Sequence, residues 1–319
     1  MTTLHLHAPA KLNLFLAITG RRSDRFHNLV SLAVPLDFGD ELGLCLTEAE
    51  SDETRLVVGG EADAAEVPSG ADNLVLRAAA AFREASGFLR PVEFVLKKHV
   101  PVGAGLGGGS SDAIAALRGL NTLAAEDGCT LDEESLCTLA AKLGADCAFF
   151  AHKRPAIMRG RGEIIEPLSE TATRRLSGRS LFLCKPAFGV STAWAYGEMA
   201  TSATAKRNSY VAELEAERLC SQWLTDSALD KPESFIFNNM ESVVFRKYPA
   251  LPVLVATFRE RFGLILRMSG SGSACFTFLP EGASGPDASA ALDSQLCECV
   301  RAFWGPSAFT RIVRVKTEA

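Results

Sequence analysis

Five glycines fall in the seven residues from Gly103 to Gly109, inside a stretch (101–112) that reads PVGAGLGGGSSD. It follows an alternating run, Val92, Phe94 and Leu96, and precedes apolar residues at helical spacing, Ala113, Ile114, Leu117 and Leu120. Each glycine loses more backbone freedom on folding than any other residue, so a chain that only had to turn would not carry five. A flexible linker would not sit squarely between a strand and a helix. Without Cβ atoms, backbone N–H groups can converge on a ligand, and the following helix aims its own free N–H groups and positive dipole end at the same point. Ser110 and Ser111 add hydroxyls that can cap the helix or hold a metal-bound phosphate. The stretch reads as a phosphate cradle.

Several known cradles are excluded. No Gly-Lys-Ser/Thr follows, so it is not a Walker loop. Gly103, Gly105 and Gly108 satisfy G-x-G-x-x-G, a weak signal alone. The dinucleotide version needs an acid closing a second strand about 20 residues on; Glu126 and Asp127 lie near that distance, but no strand precedes them. Asp37-Phe38-Gly39 spells a protein-kinase motif, yet it precedes the glycine loop instead of following it.

At 319 residues the chain is long enough for two domains with separate cores. Its 47% apolar and 22% charged residues are ordinary for a globular protein. A net charge of −5 and the lack of a Lys/Arg run exclude a nucleic-acid partner, so an anionic ligand must be met locally. The N-terminus has no basic region followed by an apolar core, and residues 12–18 are too short to span a bilayer. Nine cysteines without C-x-x-C read as small buried residues. A cytoplasmic protein without a membrane partner is expected.

Along the chain, strands are expected at 4–8 and 11–18, with Leu12, Leu14, Leu16 and Ile18 on one face and Lys11 and Asn13 on the other. That second face is either solvated or a cation–amide pair suited to anions and hydroxyls. Phe26 and His27 open another strand (29–34), either as core packing or as a ring on which a base stacks, with imidazole hydrogen bonding beside it. Strands at 41–46 and 54–58 follow, and Asp72-Asn73 caps an alanine-rich helix at 74–85. A helix at 134–143 ends at Gly144, after which Asp146 stands among Ala145, Cys147, Ala148 and Phe149. A carboxylate there needs a partner, either Lys11 or helix-terminal N–H groups. Around Arg161 the composition shifts, which puts the boundary between domains 1–163 and 164–319. The second half is expected to be α+β with an antiparallel sheet: strands at 181–184, 264–267, 275–279 and 310–315, and helices near 192–196, 239–245 and 251–262. A loop at 282–288 leads to a further helix, and a second glycine turn, Ser269-Gly270-Ser271-Gly272-Ser273, links two strands.

PAKLNL near the start, PVGAGLGGGSSD about ninety residues later and MSGSGSACF in the last quarter occur in an order that resembles the GHMP small-molecule kinases. The resemblance covers about residues 5–280. It implies a two-domain α+β fold, an N-terminal mixed αβ nucleotide-binding domain and a C-terminal ferredoxin-like antiparallel domain. It also implies ATP and Mg2+ as cofactors. By this resemblance Asp146 is the general base and Lys11 orients and stabilises charge beside it. Pro101, Gly103, Gly105, Leu106, Gly107, Gly108, Gly109, Ser110 and Ser111 hold the phosphates, with either serine a metal ligand. Asn73, Leu74 and Lys98 lie by the nucleotide. Asn13, Phe26, His27, Thr192, Tyr196, Gly270 and Gly272 contact substrate. PAKLNL, Phe26-His27, the triple glycine and Leu143-Gly144-Ala145-Asp146 are most similar to members that phosphorylate a cytidine diphosphate-linked polyol for isoprenoid synthesis, as a monomer or weak homodimer. Alternatives are a kinase for homoserine, mevalonate or a sugar, or a nucleotide sensor of the same fold without chemistry. The chain departs from the family at Arg25-Phe26, where Gly-Tyr is usual, at Cys147-Ala148, where Val-Pro often stands, and in the length of 200–235.

Overall fold

A hairpin of two long strands, β1 (Leu4–Arg21) and β2 (His27–Leu46), forms the spine of the first sheet. Their alternating apolar residues bury both faces, so each face must be covered by another layer. The computed structural model describes residues 3–47, 54–60, 66–204, 209–225, 231–280 and 286–317. β4 (Val92–Lys98) lies antiparallel to β2, and β3 (Arg55–Gly60) parallel to β4, joined by a crossover through helix α1 (Leu74–Ser86). The hairpin β5 (Ala156–Arg159) and β6 (Ile164–Pro167) pairs with β2. It spans residue 163, so the first sheet runs past the boundary expected there. A two-residue strand from much later in the chain, β8 (Phe237–Asn238), adds parallel to β1.

One sheet face is covered by α1, α2 (Gly108–Leu123), α3 (Glu133–Leu143) and α4 (Ala145–Ala151), with Leu16, Ile18, Leu44 and Phe94 packed among Phe82, Leu117, Leu120 and Phe149. The other face, Leu12, Leu14, Phe15 and Leu32, packs on Leu181, Leu183, Trp223 and Phe276 of the second half. Leu12, Leu14, Leu16 and Ile18 therefore do not share a face. The register shifts between Asn13 and Phe15, and an extra residue in one strand moves every later side chain to the opposite side.

The second sheet has strand order β11-β7-β10-β9, antiparallel throughout, from β7 (Ser180–Lys185), β9 (Arg267–Met268), β10 (Cys275–Phe278) and β11 (Phe309–Arg314). Helices α6 (Thr192–Thr204), α7 (Glu213–Gln222), α8 (Glu241–Lys247) and α9 (Ala250–Phe262) lie between β7 and β9; α10 (Pro286–Trp304) lies between β10 and β11. This is the expected ferredoxin-like arrangement. The short helix α5 (Glu170–Leu176) precedes it. β9 is shorter than the expected strand at 264–267. Gly263 ends α9 at φ 67, and Leu266 is fully buried before strand pairing begins; apolar pattern reports burial, not ladder bonds. α10 starts inside the expected loop 282–288, with proline at its first position; residues 281–285 lie outside the described residues, as do 205–208 and 226–230 of the long 200–235 segment. Among the described residues no helix is long and apolar enough to cross a membrane.

The two halves meet at their glycine turns. The Lys11 N–H donates to the Leu106 carbonyl at 2.9 Å, and the Ala274 N–H to Ala104 at 3.1 Å. Ser269 Oγ accepts from the Asn13 N–H at 3.3 Å and donates to the Gly105 carbonyl at 3.4 Å. A Cβ on Gly272 would fall inside the backbone of Ala104 and Gly105. Gly272→Ala is therefore expected to destabilise the protein by about 1–3 kcal/mol or more in urea unfolding. By contrast Gly197, within α6, has nothing within 4 Å of a Cβ, and Gly197→Ala should stabilise by up to about 1 kcal/mol.

Candidate active site

A cavity of about 950 Å3 opens where β1, the glycine cradle, α4, α6 and the second glycine turn converge. The bulge between Pro9 and Lys11 turns the Lys11 side chain into this space, and Asn13 follows two residues later. Both are buried, so the face they share is a binding face and not a solvated one. Lys11 Nζ donates to Asn13 Oδ1 at 2.5 Å and stands 3.7 Å from Asp146 Oδ2. Asn13 Nδ2 donates to Ser31 Oγ at 2.9 Å, and Ser31 donates to the Phe15 carbonyl at 2.7 Å. This chain of bonds fixes the amide orientation and leaves the lysine one charged partner. Asp146 sits in the first turn of α4, where the helix dipole favours a carboxylate. Its side chain is 38% exposed to the cavity, against 4% for Lys11.

At the other end of the cavity, His27 is buried with its ring 5.1 Å from Tyr196 and its Nε2 3.0 Å from the Tyr210 hydroxyl. Burial, and after it Arg21, lower the His27 pKa from its usual value, so the imidazole is neutral near pH 7. Burial, with Asp146 nearby, raises the Tyr196 phenol, so it stays protonated. Phe26 is 56% exposed under the Arg161 guanidinium, 5.0 Å from its ring centre. Arg25 adopts φ 71, the left-handed region that glycine enters freely, so the backbone keeps the shape that the family's usual glycine would give. Arg21, Arg25 and Arg161 all line this end. Thr192 hydrogen-bonds Ser271 at 2.9 Å, and both line the cavity with Gly270.

Gly103, Gly105, Gly107, Gly108, Gly109 and Leu74 line this cavity and also a smaller one of about 280 Å3 on the other side of the loop. Pro101, Leu106 and Asn73 face only the smaller one. The Asn73 side chain caps α1 through the Val75 N–H at 2.8 Å and donates to the Pro68 carbonyl at 2.6 Å. Lys98 also lines it, but its ammonium is taken by two buried carboxylates, Asp40 and, at 2.8 Å, Asp112. Asp40 further accepts the His99 and Val100 N–H groups at 2.6 and 2.8 Å. Asp112 Oδ1 has no hydrogen-bond partner. Burial raises the Asp112 pKa to about 8, with Lys98 opposing and Asp40 reinforcing. One lysine cannot neutralise two buried anions, and the less hydrogen-bonded carboxyl keeps a proton.

Two expected site residues stand elsewhere. Ser111 is buried, and one helical step past Ser110 turns it away from the cradle towards a different cavity, so it is no phosphate or metal ligand there. Gly272 packs behind the cradle and does not line the large cavity. Arg21, Arg161, Tyr210 and Asp40 carried no sequence signal: Arg161 looked like part of a glycine-rich boundary, and Asp40 meets Lys98 across 58 residues. Among the described residues no group of three or more His, Cys, Asp or Glu could hold a metal ion.

Residues 73–154 match the model described as GHMP kinases N terminal domain, and residues 221–298 the one described as GHMP kinases C terminal. The class is therefore that of the GHMP kinases, ATP-dependent phosphotransferases acting on an alcohol. A 4-diphosphocytidyl-2-C-methyl-D-erythritol kinase of Methylacidiphilum infernorum is 34% identical over 313 residues, 97% of this chain and 95% of the relative. One of Rhizobium leguminosarum bv. trifolii is 37% identical, covering 90% of each chain. A crystal structure of 4-(cytidine 5'-diphospho)-2C-methyl-D-erythritol kinase superposes with a TM-score of 0.71 at 32% identity, over 98% of this chain and 100% of that one. Homoserine kinase from Cytophaga hutchinsonii shares the fold at a TM-score of 0.68 and 17% identity, with 100% and 96% coverage. The chain belongs to the family of the 4-diphosphocytidyl-2-C-methyl-D-erythritol kinases, within the GHMP kinases.

The buried carboxyl gives a pH test. Unfolded, Asp112 ionises near pH 4; folded, it holds its proton to about pH 8. The native state binds the extra proton between those values, so this group makes stability fall as pH rises through that window. Urea midpoints of Asp112→Asn relative to the native protein should shift in favour of the variant from about pH 5 to 8 and level off above.

Proposed function

We propose that the protein transfers the γ-phosphoryl group of ATP to a hydroxyl of 4-diphosphocytidyl-2-C-methyl-D-erythritol, in isoprenoid synthesis. The observation that carries this reading is the Lys11–Asp146 pair, 3.7 Å apart, in the cavity faced by the glycine cradle and the start of α2. The cradle N–H groups and the α2 dipole meet the phosphates, with the base of the nucleotide in the smaller cavity by Asn73 and Leu74. Asp146 takes the proton of the acceptor hydroxyl as its oxygen attacks the γ-phosphorus, the bond to the β-γ bridging oxygen breaks, and ADP leaves. Lys11, held by Asn13, keeps the carboxylate in place and offsets the charge that gathers on the transferred group. Such transfers depend on positioning and charge stabilisation more than on covalent help.

Mg2+ would suit this site as an ion carried by the nucleotide, held by phosphate oxygens, waters and one or two protein oxygens, of which the Ser110 hydroxyl, facing the cavity, could supply one. Once bound, it neutralises charge on the phosphates. The ring pocket of Phe26, His27 and Tyr196 supports a flat pyrimidine, and Arg21, Arg25 and Arg161 beside it support a diphosphate. Homoserine or mevalonate has no ring to fill that pocket.

An ADP-release assay with ATP, Mg2+ and 4-diphosphocytidyl-2-C-methyl-D-erythritol tests the reading. Asp146→Asn should lower kcat by about 10²–10⁴ with little change in KM, and a near-native kcat would overturn the base assignment. Lys11→Ala should harm both constants. Phe26→Ala is expected to raise KM for the cytidine substrate by about tenfold while sparing KM for ATP; an unchanged KM would remove the ring from the pyrimidine site.

A further inference from the structure

A third cavity, of about 240 Å3, lies behind the phosphate cradle and takes no part in the reaction described. Its floor is apolar, made by Pro9, Pro35, Ile114, Ala115, Phe149 and Phe150. Its rim is basic: His5, His7, Arg118, Lys153 and Lys316, drawn from the start of β1, from α2, from the turn after α4 and from the tail after β11, with Arg118 paired to Glu133 and no acidic side chain in the lining itself. Five basic residues from four separate parts of the chain do not gather around an apolar hollow by local sequence. They also oppose one another. Burial and then the Arg118 charge lower the Lys153 pKa, with Glu133 opposing, and burial and then Lys316 lower that of His7. Asp37, Asp40 and Glu41 act on His7 in the other sense.

Two further observations point the same way. Arg118 is anchored by Glu133 at 2.6 Å and by the Ala151 carbonyl at 2.7 Å, yet its Nε is buried without a partner. Lys153 holds φ 58, a conformation that L side chains adopt at a cost of about 1–3 kcal/mol and that gathers at ligand sites. The floor also touches the catalytic machinery from behind. A Cβ on Gly107 would meet the Phe150 ring at 2.9 Å and Lys11 Cγ at 3.1 Å, so Phe150 separates this cavity from the cradle, and Ser111 faces it from the first turn of α2.

We propose that this cavity is a second ligand site, built for a phosphate ester of an apolar alcohol. The alcohol chain or ring rests on Phe149, Phe150 and Ile114, and the phosphate is met by Arg118 and Lys153. Neither half of such a ligand alone matches the lining: inorganic phosphate leaves the floor bare, and an uncharged alcohol offers Lys153 and Lys316 no anion.

Benzyl phosphate is a probe of suitable size. Its binding is measured by calorimetry on the full chain with the active site saturated by a non-hydrolysable ATP analogue, Mg2+ and 4-diphosphocytidyl-2-C-methyl-D-erythritol, beside inorganic phosphate and benzyl alcohol. Binding at about millimolar concentration, suited to a ligand of a dozen heavy atoms, is expected with the analogue present, and at least tenfold weaker binding for each half-ligand. Lys153→Asn keeps a side chain that tolerates the left-handed backbone, removes the charge and lies outside the catalytic machinery. It should weaken the probe tenfold or more and leave ATP turnover unchanged. Ala115→Phe should do the same by filling the hollow, and Lys153→Asn, exposed to solvent, decides the matter if that variant does not fold. Absence of binding, displacement by the ATP analogue, undiminished affinity in Lys153→Asn, or inorganic phosphate binding as tightly as benzyl phosphate would each overturn the proposal.

Discussion

The contact on which the rest of the site depends is backbone against backbone, where the cradle at 103–109 meets the second glycine turn at 269–273. Side chains cannot make this approach, because a Cβ on Gly105 or Gly272 would occupy the other turn's main chain. Since β1 bonds to both turns, through Lys11 to Leu106 and through Asn13 to Ser269, the strand that supplies the cation also sets the distance between the halves. Asn238 adds to the same joint by donating to the Met268 and Gly270 carbonyls at 2.8 Å each. The reactive geometry is thus held by main-chain spacing, which tolerates less drift than long side chains do.

Charge is handled differently at the two levels of the site. In the open cavity Lys11 faces the half-exposed carboxylate of Asp146, with three arginines at the far end. Beneath the cradle, Asp40, Lys98 and Asp112 form a buried cluster in which the lysine ties β4 to β2 and to the second turn of α2. That cluster fixes the start of α2 beside the cradle and leaves one buried carboxyl oxygen, Asp112 Oδ1, without a hydrogen-bond partner.

Much of this was legible in the sequence where function and local pattern coincide. The glycine run lies between a strand and a helix as read, and Lys11, Asn13, Asp146, Phe26, His27, Thr192 and Tyr196 meet in one cavity. What was not legible depends on contacts between distant segments. The bulge after Asn13 reassigned Leu16 and Ile18 to the opposite core, although the alternation of residues around it is unbroken. Ser111 has the same chemistry as Ser110, and only the 100° turn of a helix separates them. Lys98 was placed near the nucleotide, and it does line that cavity, but no spacing rule foretells that Asp40 and Asp112 would claim its charge.

The small strand β8 bears on how the molecule comes into being. Asn239 bonds to Ile18 of β1 across 221 residues, and β10 joins β7 with the second glycine turn just before it. On a ribosome, the first strand leaves the tunnel long before either partner has been made. The nascent chain can assemble most of its first sheet while the wall of the cavity is still missing. The cavity is complete only once the last third of the chain has folded back onto β1.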